Sequence, residues 1–336
     1  MAAGRAAWID VHAHPGRCFL AGLDDSDPLV AVLGGQDVAA ALSAARAAGL
    51  AAVTLATVAD LRVLSPDPDT GLRATRRFEP GEAYGDHRRQ LDGISRIIAA
   101  EGAVLAVTAA DIESAHAAQR TAVLISCEGG DFLEGRLEPL ADARAAGASS
   151  LTLVHYRVNQ IGDVQTEEPV HGGLTGFGRE VVAECNQLRL IIDCAHATFE
   201  TTIGVLEHST QPVMISHSHL DHAGRHHPRL LSADHARAVA GAGGLIGAWP
   251  SGVTSVSIAD FADEIARLAD LVGADHVAIG TDMDANYRPV LTGYAQFAAL
   301  PQLLAGRGFT DAETGKVLGA NALDLLRHVS GEESQS

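Results

Sequence analysis

The chain alternates short apolar runs with longer segments of helical periodicity. Mostly apolar runs of six or seven residues, typical of buried strands, lie at 6–12, 51–57, 122–128, 150–155, 190–196, 212–217, 244–249 and 276–282. Segments with helical spacing of apolar residues lie between them, at 37–49, 179–188, 199–208 and 258–273. Strand and helix alternate about eight times, which predicts an α/β fold with a parallel sheet. A sheet of this kind that closes on itself is a (β/α)8 barrel, the TIM barrel.

The segment 64–86 interrupts this alternation and is rich in proline and glycine. We expect it to form a loop over one mouth of the barrel. No linker composition divides the rest of the chain, so residues 1–330 are predicted to form a single domain. Residues 331–336 are polar and are expected to be a frayed tail.

The composition indicates the type of core, and the net charge indicates which binding partners are not expected. The 336 residues are 47% hydrophobic and 20% charged, and only 4% are aromatic. This mixture suits a large core of buried parallel strands covered by alanine-rich helices. The formal net charge is −18, from 42 acidic and 24 basic residues. Nucleic acid and anionic membrane surfaces are therefore not expected as partners.

The cysteine pattern indicates a reducing compartment. The four cysteines have no CxxC spacing, and Cys127 and Cys194 lie within apolar runs, where a buried free thiol is the expected state. We therefore expect a cytoplasmic protein. No apolar stretch reaches the ~18 residues of a membrane span, and the N-terminus lacks the pattern of a signal peptide.

Groups that can hold a metal or move a proton lie at the ends of six predicted strands. These residues are His12, Glu128, His155, His196, His217 and Asp282. In a (β/α)8 barrel the C-terminal ends of the strands carry the active site. His14 lies two residues after His12, so both side chains project to the same side of an extended strand. Neutral imidazoles are good zinc ligands, and zinc sites commonly combine them with a carboxylate.

A site with two metals also needs an anion that bridges them. A carboxylated lysine is excluded, because the single lysine, Lys316, lies in a late helical segment far from any strand end. Glu128, in "LISCEGG", remains the candidate, since its carboxylate can span two metals about 3.5–4 Å apart.

The sequence resembles the membrane (renal-type) dipeptidase family of the amidohydrolase superfamily. The matching stretches occur in the order of the family and cover roughly residues 8 to 328. They are "DVHAHP", "LISCEGG", "LTLVHYRVNQIGD", "GLTGFGREVVAECNQL", "IIDCAH", "PVMISHSH", "HHPRLLSADHARAVAGAGGLIG" and "AIGTDMD".

The resemblance implies an amidohydrolase-like barrel that acts as a binuclear zinc metallopeptidase. His12 and His14 would join Glu128 at one metal, and His196 and His217 would join Glu128 at the other. A water that bridges the metals would attack the amide bond of a dipeptide, or of a dipeptide-like molecule, with a free carboxylate. By analogy with barrels of this kind, a homodimer is expected.

The resemblance also implies roles for three further residues. His155 would hydrogen-bond the substrate carbonyl, and Asp282 would carry a proton from the water to the leaving amine. Arg229, in "HHPR", would bind the substrate carboxylate, since a guanidinium matches a carboxylate in shape and charge. Arg225, four residues earlier, is the alternative anchor.

One position departs from the family. The first motif of the family is His-x-Asp, whereas this chain has His14 in place of the aspartate. Imidazole also binds zinc, but the exchange removes one negative charge from the first metal site. Two alternatives to a dipeptidase follow: an amidohydrolase-superfamily enzyme of altered specificity, and a barrel that binds a small molecule without cleaving it.

The stretch "ISHSHLDHAGRHH", residues 215–227, suggests a third class of protein. His217-x-His219-x-Asp221-His222 resembles the metal-binding signature of metallo-β-lactamases. However, it lies late in the chain, after strands whose ends already carry His and Glu. We therefore predict that His217 is the metal ligand of this cluster.

The remaining histidines are expected to be solvated or to cap helices. Within the cluster, His219, His222, His226 and His227 are assigned to the loop after the sixth strand, where they either lie near a substrate or are solvated, and the solvated interpretation is favoured. Outside it, His87 and His235 are among seven histidines in helical or loop patterns for which surface or capping roles are expected. Asp10 has two open interpretations, as a residue that orients a metal ligand or as a member of a buried charge pair.

Overall fold

Eight parallel strands close into a ring. The computed structural model describes residues 7–69, 71–222 and 226–332. The strands are β1 (Trp8–Asp10), β2 (Leu50–Val58), β3 (Leu64–Asp67), β4 (Gly71–Ala74), β5 (Val104–Leu105), β6 (Ala122–Glu128), β7 (Ala148–Thr152), β8 (Ile191–Asp193), β9 (Met214–Ser218), β10 (Leu245–Ala248) and β11 (Val277–Ile279). The order β2-β1-β11-β10-β9-β8-β7-β6 is closed by pairing of β2 with β6, which confirms the predicted (β/α)8 barrel. Strand β5 pairs with the start of β6, outside the ring.

Helices cover the outside of the ring. The α-helices are Pro28–Leu33, Val38–Ala48, Glu82–Ala100, Ala109–Ala117, Glu138–Ala145, Gly176–Leu188, Phe199–His208, Ala233–Gly241, Ile258–Val272, Leu300–Ala305, Asp311–Gly315 and Asn321–Ser330. Short 3₁₀ turns occur at Cys18–Leu20, Leu61–Val63, Asp131–Leu133, Ala274–His276 and Tyr294–Ala299, and a π-helical turn at Lys316–Ala320. Several helices begin at a side-chain cap, as at Ser257, whose hydroxyl accepts the Asp260 N–H.

Burial explains why the strands read as continuous apolar runs. All nine residues of β2 are buried, because one face fills the barrel interior and the other packs under helices. Two glycines allow a close approach of backbones beneath His217. A Cβ at Gly247 or Gly280 would lie 1.8 Å from the Ser216 carbonyl oxygen, so a side chain at either position would force the neighbouring strands apart.

The structure corrects the prediction for 64–86. This segment is not a plain loop, because β3 and β4 pair in it as an antiparallel hairpin, with Leu64 opposite Ala74. The helix Glu82–Ala100 also begins within this segment. Its first residue, Glu82, forms an ion pair with Arg76, with 2.5 Å between Oε1 and Nη2. Backbone pairing and this ion pair therefore order a segment whose composition suggested irregular structure.

The structure also bears on two other predictions, the frayed tail at 331–336 and the buried free thiols. Glu332 accepts hydrogen bonds from the N–H groups of Ala109 and Ala110, and residues 333–336 of the expected tail lie outside the described residues. All four cysteines are buried free thiols. Among the helices in the described ranges, none has the length and apolar character needed to cross a bilayer.

Two histidines expected at the surface are buried. The His87 ring stacks on Phe132 with 3.7 Å between centroids, and His235 is 2% exposed beside Thr202. Burial lowers the pKa of His87 to about 3 and that of His235 to about 4, so both rings are neutral at neutral pH. Helical spacing alone did not reveal which face of each helix packs inward.

His87 should make the fold sensitive to acid. Its pKa is lower in the folded chain, about 3, than the ordinary value of 6.5, so the unfolded chain binds the proton first and stability falls as the pH drops from 6.5 towards 3. Between pH 7 and pH 5 this linkage costs about 2 kcal/mol. In His87→Gln, the decrease in unfolding free energy over that interval should be smaller by this amount, as measured by urea denaturation. The exposed His328→Gln variant is the control, and an unchanged pH dependence in His87→Gln would contradict the assignment.

Candidate active site

The carboxylate of Glu128 lies at the centre of a group of imidazoles. Glu128 is the last residue of β6 and is 2% exposed. Its Oε1 lies 3.2 Å from His12 Nε2, 3.3 Å from His196 Nε2 and 3.7 Å from His217 Nε2. Its Oε2 lies 3.3 Å from His14 Nε2. The ends of four different strands therefore converge on one carboxyl group.

Glu128 is ionised in spite of its burial. Burial raises the pKa of a carboxyl group, but the imidazoles of His155, His12 and His14 outweigh this effect and hold the pKa of Glu128 well below its usual range. An isolated carboxylate at this depth would neutralise instead. The surrounding imidazoles therefore stabilise the negative charge of Glu128 in a buried position.

His12 and His14 reach this carboxylate from the end of β1. Their spacing of two residues places both rings on one side of the chain, as the sequence predicted. The His14 Nδ1 atom lies 3.1 Å from the Ala56 carbonyl oxygen, which directs Nε2 towards Glu128. The His12 Nε2 atom approaches Glu128 without forming a hydrogen bond, and it is buried. Neither ring nitrogen of His12 has a hydrogen-bond partner among the described residues, so this ring is a candidate metal ligand.

His196 and His217 approach Glu128 from β8 and β9. Their Nε2 atoms lie 3.1 Å apart, and the Ser216 hydroxyl lies 2.9 Å from Nδ1 of His217. Burial lowers the pKa of both rings well below the ordinary value, so both are neutral. When Nδ1 of His217 donates to Ser216, its Nε2 is left as a lone pair. Two neutral nitrogens beside one carboxylate are suited to hold a cation.

Three groups of side chains place their ligand atoms within 4.8 Å of one another. The groups are His12–His14–Glu128, Glu128–His196–His217 and His12–His217–Asp282. The first two share Glu128, so one carboxylate serves two neighbouring positions. Buried imidazoles combined with carboxylates form a donor set that fits zinc. The residues expected from the sequence as two ligand sets are thus brought together.

Asp282 lies within the same cluster. Its Oδ1 is 3.4 Å from His14 Nε2, and its backbone N–H donates to the His12 carbonyl. Burial opposes a charge on His14, but the contacts with Asp282, Cys18 and Glu128 raise its pKa well above the ordinary value. The third group of potential ligands includes Asp282, so its carboxylate is placed both to ligate and to exchange protons.

Two residues of the site adopt strained backbone conformations. His196 has φ of 66° and Asp282 has φ of 53°, in the left-handed region that non-glycine residues rarely occupy. Such conformations cost about 1–3 kcal/mol each and persist where the surroundings impose them. Here they turn an imidazole and a carboxylate inwards immediately after a strand.

Asp60 orients His155, a role that was not predicted from the sequence. The Nδ1 atom of His155 lies 2.6 Å from Asp60 Oδ1, and the Tyr156 N–H donates to Oδ2 of the same carboxylate. Burial opposes a charge on His155, but Asp60 and Glu128 outweigh it and raise its pKa. With Nδ1 directed to Asp60, Nε2 lies 3.5 Å from Glu128 Oε2. Asp60 follows β2 by two residues, a position after a strand end that could have indicated it.

Asp10 serves the backbone rather than an imidazole ring. It accepts hydrogen bonds from the N–H and, at 2.5 Å, the hydroxyl of Thr281, and from the His12 N–H at 3.4 Å. These contacts include the backbone of a potential metal ligand, His12, and the orienting role remains a prediction. Burial raises the pKa of Asp10 to about 6.

Arg229 lies beside the site, in contact with the His217 carbonyl, and is 1% exposed. Its Nη1 donates to Gln165 Oε1 at 2.8 Å, its Nη2 donates weakly to the His217 carbonyl at 3.4 Å, and the guanidinium lies 5.5 Å from the Trp249 ring. Three further residues here were not predicted from the sequence: Gln165, Trp249 and the neighbouring Tyr156, whose ring packs edge-on against His196. The alternative anchor, Arg225, lies outside the described residues.

Only part of the histidine cluster reaches the site. Among the described residues, His217 is the member of that cluster found in a potential metal group. His226 is exposed and pairs with Asp221. The solvated assignment is wrong for His219, which is completely buried against Phe261 and whose pKa burial lowers to about 3. The parallel barrel is also not the sandwich of a metallo-β-lactamase.

Comparison with known proteins identifies the family. The family model described as membrane dipeptidase (peptidase family M19) matches residues 48–336. The chain is 30% identical over 268 residues to dipeptidase aclJ of Aspergillus oryzae, an alignment that covers 75% of this chain and 63% of the relative. The chain spans about three fifths of the length of three curated dipeptidases that it matches.

Solved structures share the fold at low sequence identity. The dipeptidase AC, a metallopeptidase of family M19, superimposes with a TM-score of 0.77 and 21% identity, and covers 97% of this chain and 99% of its own. A metallopeptidase from Rhodobacter sphaeroides, liganded with a phosphinate mimic of L-Ala-D-Ala, has a TM-score of 0.74 and 20% identity over 96% of this chain and 99% of its own. The chain belongs to the membrane dipeptidase family, peptidase family M19.

Proposed function

We propose that this chain is a metal-dependent dipeptidase that hydrolyses the amide bond of dipeptides or dipeptide-like molecules with a free carboxylate. One observation carries the proposal: the ionised Glu128 lies within 3.2–3.7 Å of five buried imidazoles. Family membership and the dipeptidases among its relatives support the same reaction class.

The donor set supports two zinc ions per chain. His12, His14 and Glu128 would hold one, and Glu128, His196 and His217 would hold the other. When bound, the metals would supply Lewis-acid chemistry, which polarises a carbonyl oxygen and lowers the pKa of water. All other steps are assigned to side chains of this protein.

The remaining groups are assigned by their positions. His155 would donate from Nε2 to the substrate carbonyl oxygen, because Asp60 binds Nδ1 and the raised pKa favours the doubly protonated ring. Asp282 would take the proton of the attacking water and return it to the leaving amine. Arg229 would bind the substrate carboxylate, because its charge is buried near the ligand cluster.

Glu128 and Asp282 should be separable by their effects on metal. In Glu128→Ala, turnover of L,L- and L,D-dipeptides should fall about a thousandfold or more, and metal content should fall with it, because both ligand sets lose their shared carboxylate. In Asp282→Asn, turnover should fall about 10²–10⁴-fold while metal content is retained, because the amide oxygen can still ligate but cannot carry a proton. Steady-state kinetics and elemental analysis measure the two quantities. Glu128→Ala with unchanged metal content would contradict the assignment of the bridging residue.

Removal of metal should abolish the activity reversibly. Dialysis against a chelator should leave a folded protein without hydrolase activity, and about two equivalents of zinc should restore it. Circular dichroism before and after dialysis controls for unfolding. Full activity in metal-free protein would refute the mechanism.

Asp60→Asn should impair catalysis more than binding. The amide cannot hold the doubly protonated His155 as a carboxylate does, so kcat should fall about ten- to a hundredfold with little change in KM. Asp92→Asn, an exposed position on the helix Glu82–Ala100, is the matched control. Equal kinetics of the two variants would show that Asp60 does not act through His155.

A further inference from the structure

Arg229 is a buried cation without a paired anion. Among the described residues no carboxylate forms an ion pair with its guanidinium, which contacts the amide of Gln165, the carbonyl of His217 and the face of Trp249. The buried Nε atom has no hydrogen-bond partner. A charge at this depth is costly unless it is compensated, so this guanidinium has capacity for an anionic ligand.

Gln165 is held so that its oxygen faces this guanidinium. Its backbone N–H donates to the His196 carbonyl at 2.8 Å, which ties the residue to the end of β8. Its Nε2 lies 3.4 Å from the Leu230 carbonyl oxygen, and its Oε1 accepts from Arg229 at 2.8 Å. The amide nitrogen of Gln165 thus faces the Leu230 carbonyl and the amide oxygen faces the Arg229 guanidinium. Both contacts favour the same orientation of the amide group.

At position 165 an amide side chain suits these contacts better than the side chains closest to it in size, those of glutamate and leucine. A glutamate would bring a carboxylate against the Leu230 carbonyl and would neutralise the guanidinium. A leucine would fill the space but would leave the guanidinium without its orienting acceptor. Glutamine orients the cation and leaves its charge unneutralised.

We propose that Gln165 is a positioning residue for carboxylate recognition, which fixes the Arg229 fork while preserving its charge for the carboxylate of the substrate. This inference rests on the proposed function, because it assumes a substrate with a carboxyl terminus. Gln165 acts through Arg229 and is assigned no contact with the reacting atoms. Its contribution belongs to binding, so it should appear in KM rather than in kcat.

Two variants and one control test this role. Gln165→Glu should raise KM for a dipeptide about tenfold or more, because an internal carboxylate competes for the guanidinium, and Gln165→Leu should raise it about three- to tenfold, because the fork loses its orientation. In both, kcat should change less than about threefold and the metal content should be unchanged. Gln160→Glu, the same substitution at an exposed position of the same segment, should leave KM unaltered.

A substrate control separates recognition from general damage. The C-terminal amide of the same dipeptide has no carboxylate, so its kcat/KM should be nearly the same in wild type and in both Gln165 variants. Calorimetric titration of the metal-loaded proteins with a phosphinate dipeptide mimic that has a free carboxylate should show the same losses of affinity.

The outcomes distinguish a failure of the proposed dipeptidase function from a failure of the role of Gln165. If the wild-type protein hydrolyses no dipeptide, the proposed function fails, and this inference fails with it. If the wild type is active but both Gln165 variants keep the wild-type KM, only the role of Gln165 is refuted. Equal losses on the dipeptide and on its amide would also refute it, because they indicate a structural defect.

Discussion

The structure depends on one buried negative charge. Glu128 is ionised within the barrel mouth because the imidazoles of His155, His12 and His14 outweigh the cost of its burial. The neutral rings of His196 and His217 can offer lone pairs to a cation, and the carboxylate supplies the charge that attracts it. Closure of the ring brings these groups together, because parallel strands all end at one face.

A second layer of contacts holds these groups in place. Asp60 directs His155, Asp10 ties the end of β1 to the chain after β11, and Ser216 binds the far nitrogen of His217. Partners of this kind fix ring orientation and tautomer, which determine whether a lone pair or a proton faces the site. The glycines beneath β9 permit the close approach of strands on which this arrangement rests.

The charges in the site are not symmetric. At the position where the resemblance to the family implies an aspartate, this chain has His14, which carries no negative charge. Asp282 lies 3.4 Å from His14 and supplies a carboxylate from another strand end. Beside this cluster, Arg229 is a cation with which no described carboxylate forms an ion pair, and it donates to the neutral amide of Gln165.

The sequence by itself determined the barrel and the residues that face its mouth. Buried parallel strands are continuous apolar runs, and a polar residue that ends such a run is conspicuous, as at His12, Glu128 and His217. The sequence did not determine the hairpin at 64–74 or the burial of His87, His219 and His235. Nor did it determine the contacts of Asp60 and Gln165. Those depend on which helix face packs inward and on pairs of residues up to 95 positions apart, such as His155 and Asp60. Local periodicity has no information about such distant partners, and only the closed ring decided which of them meet.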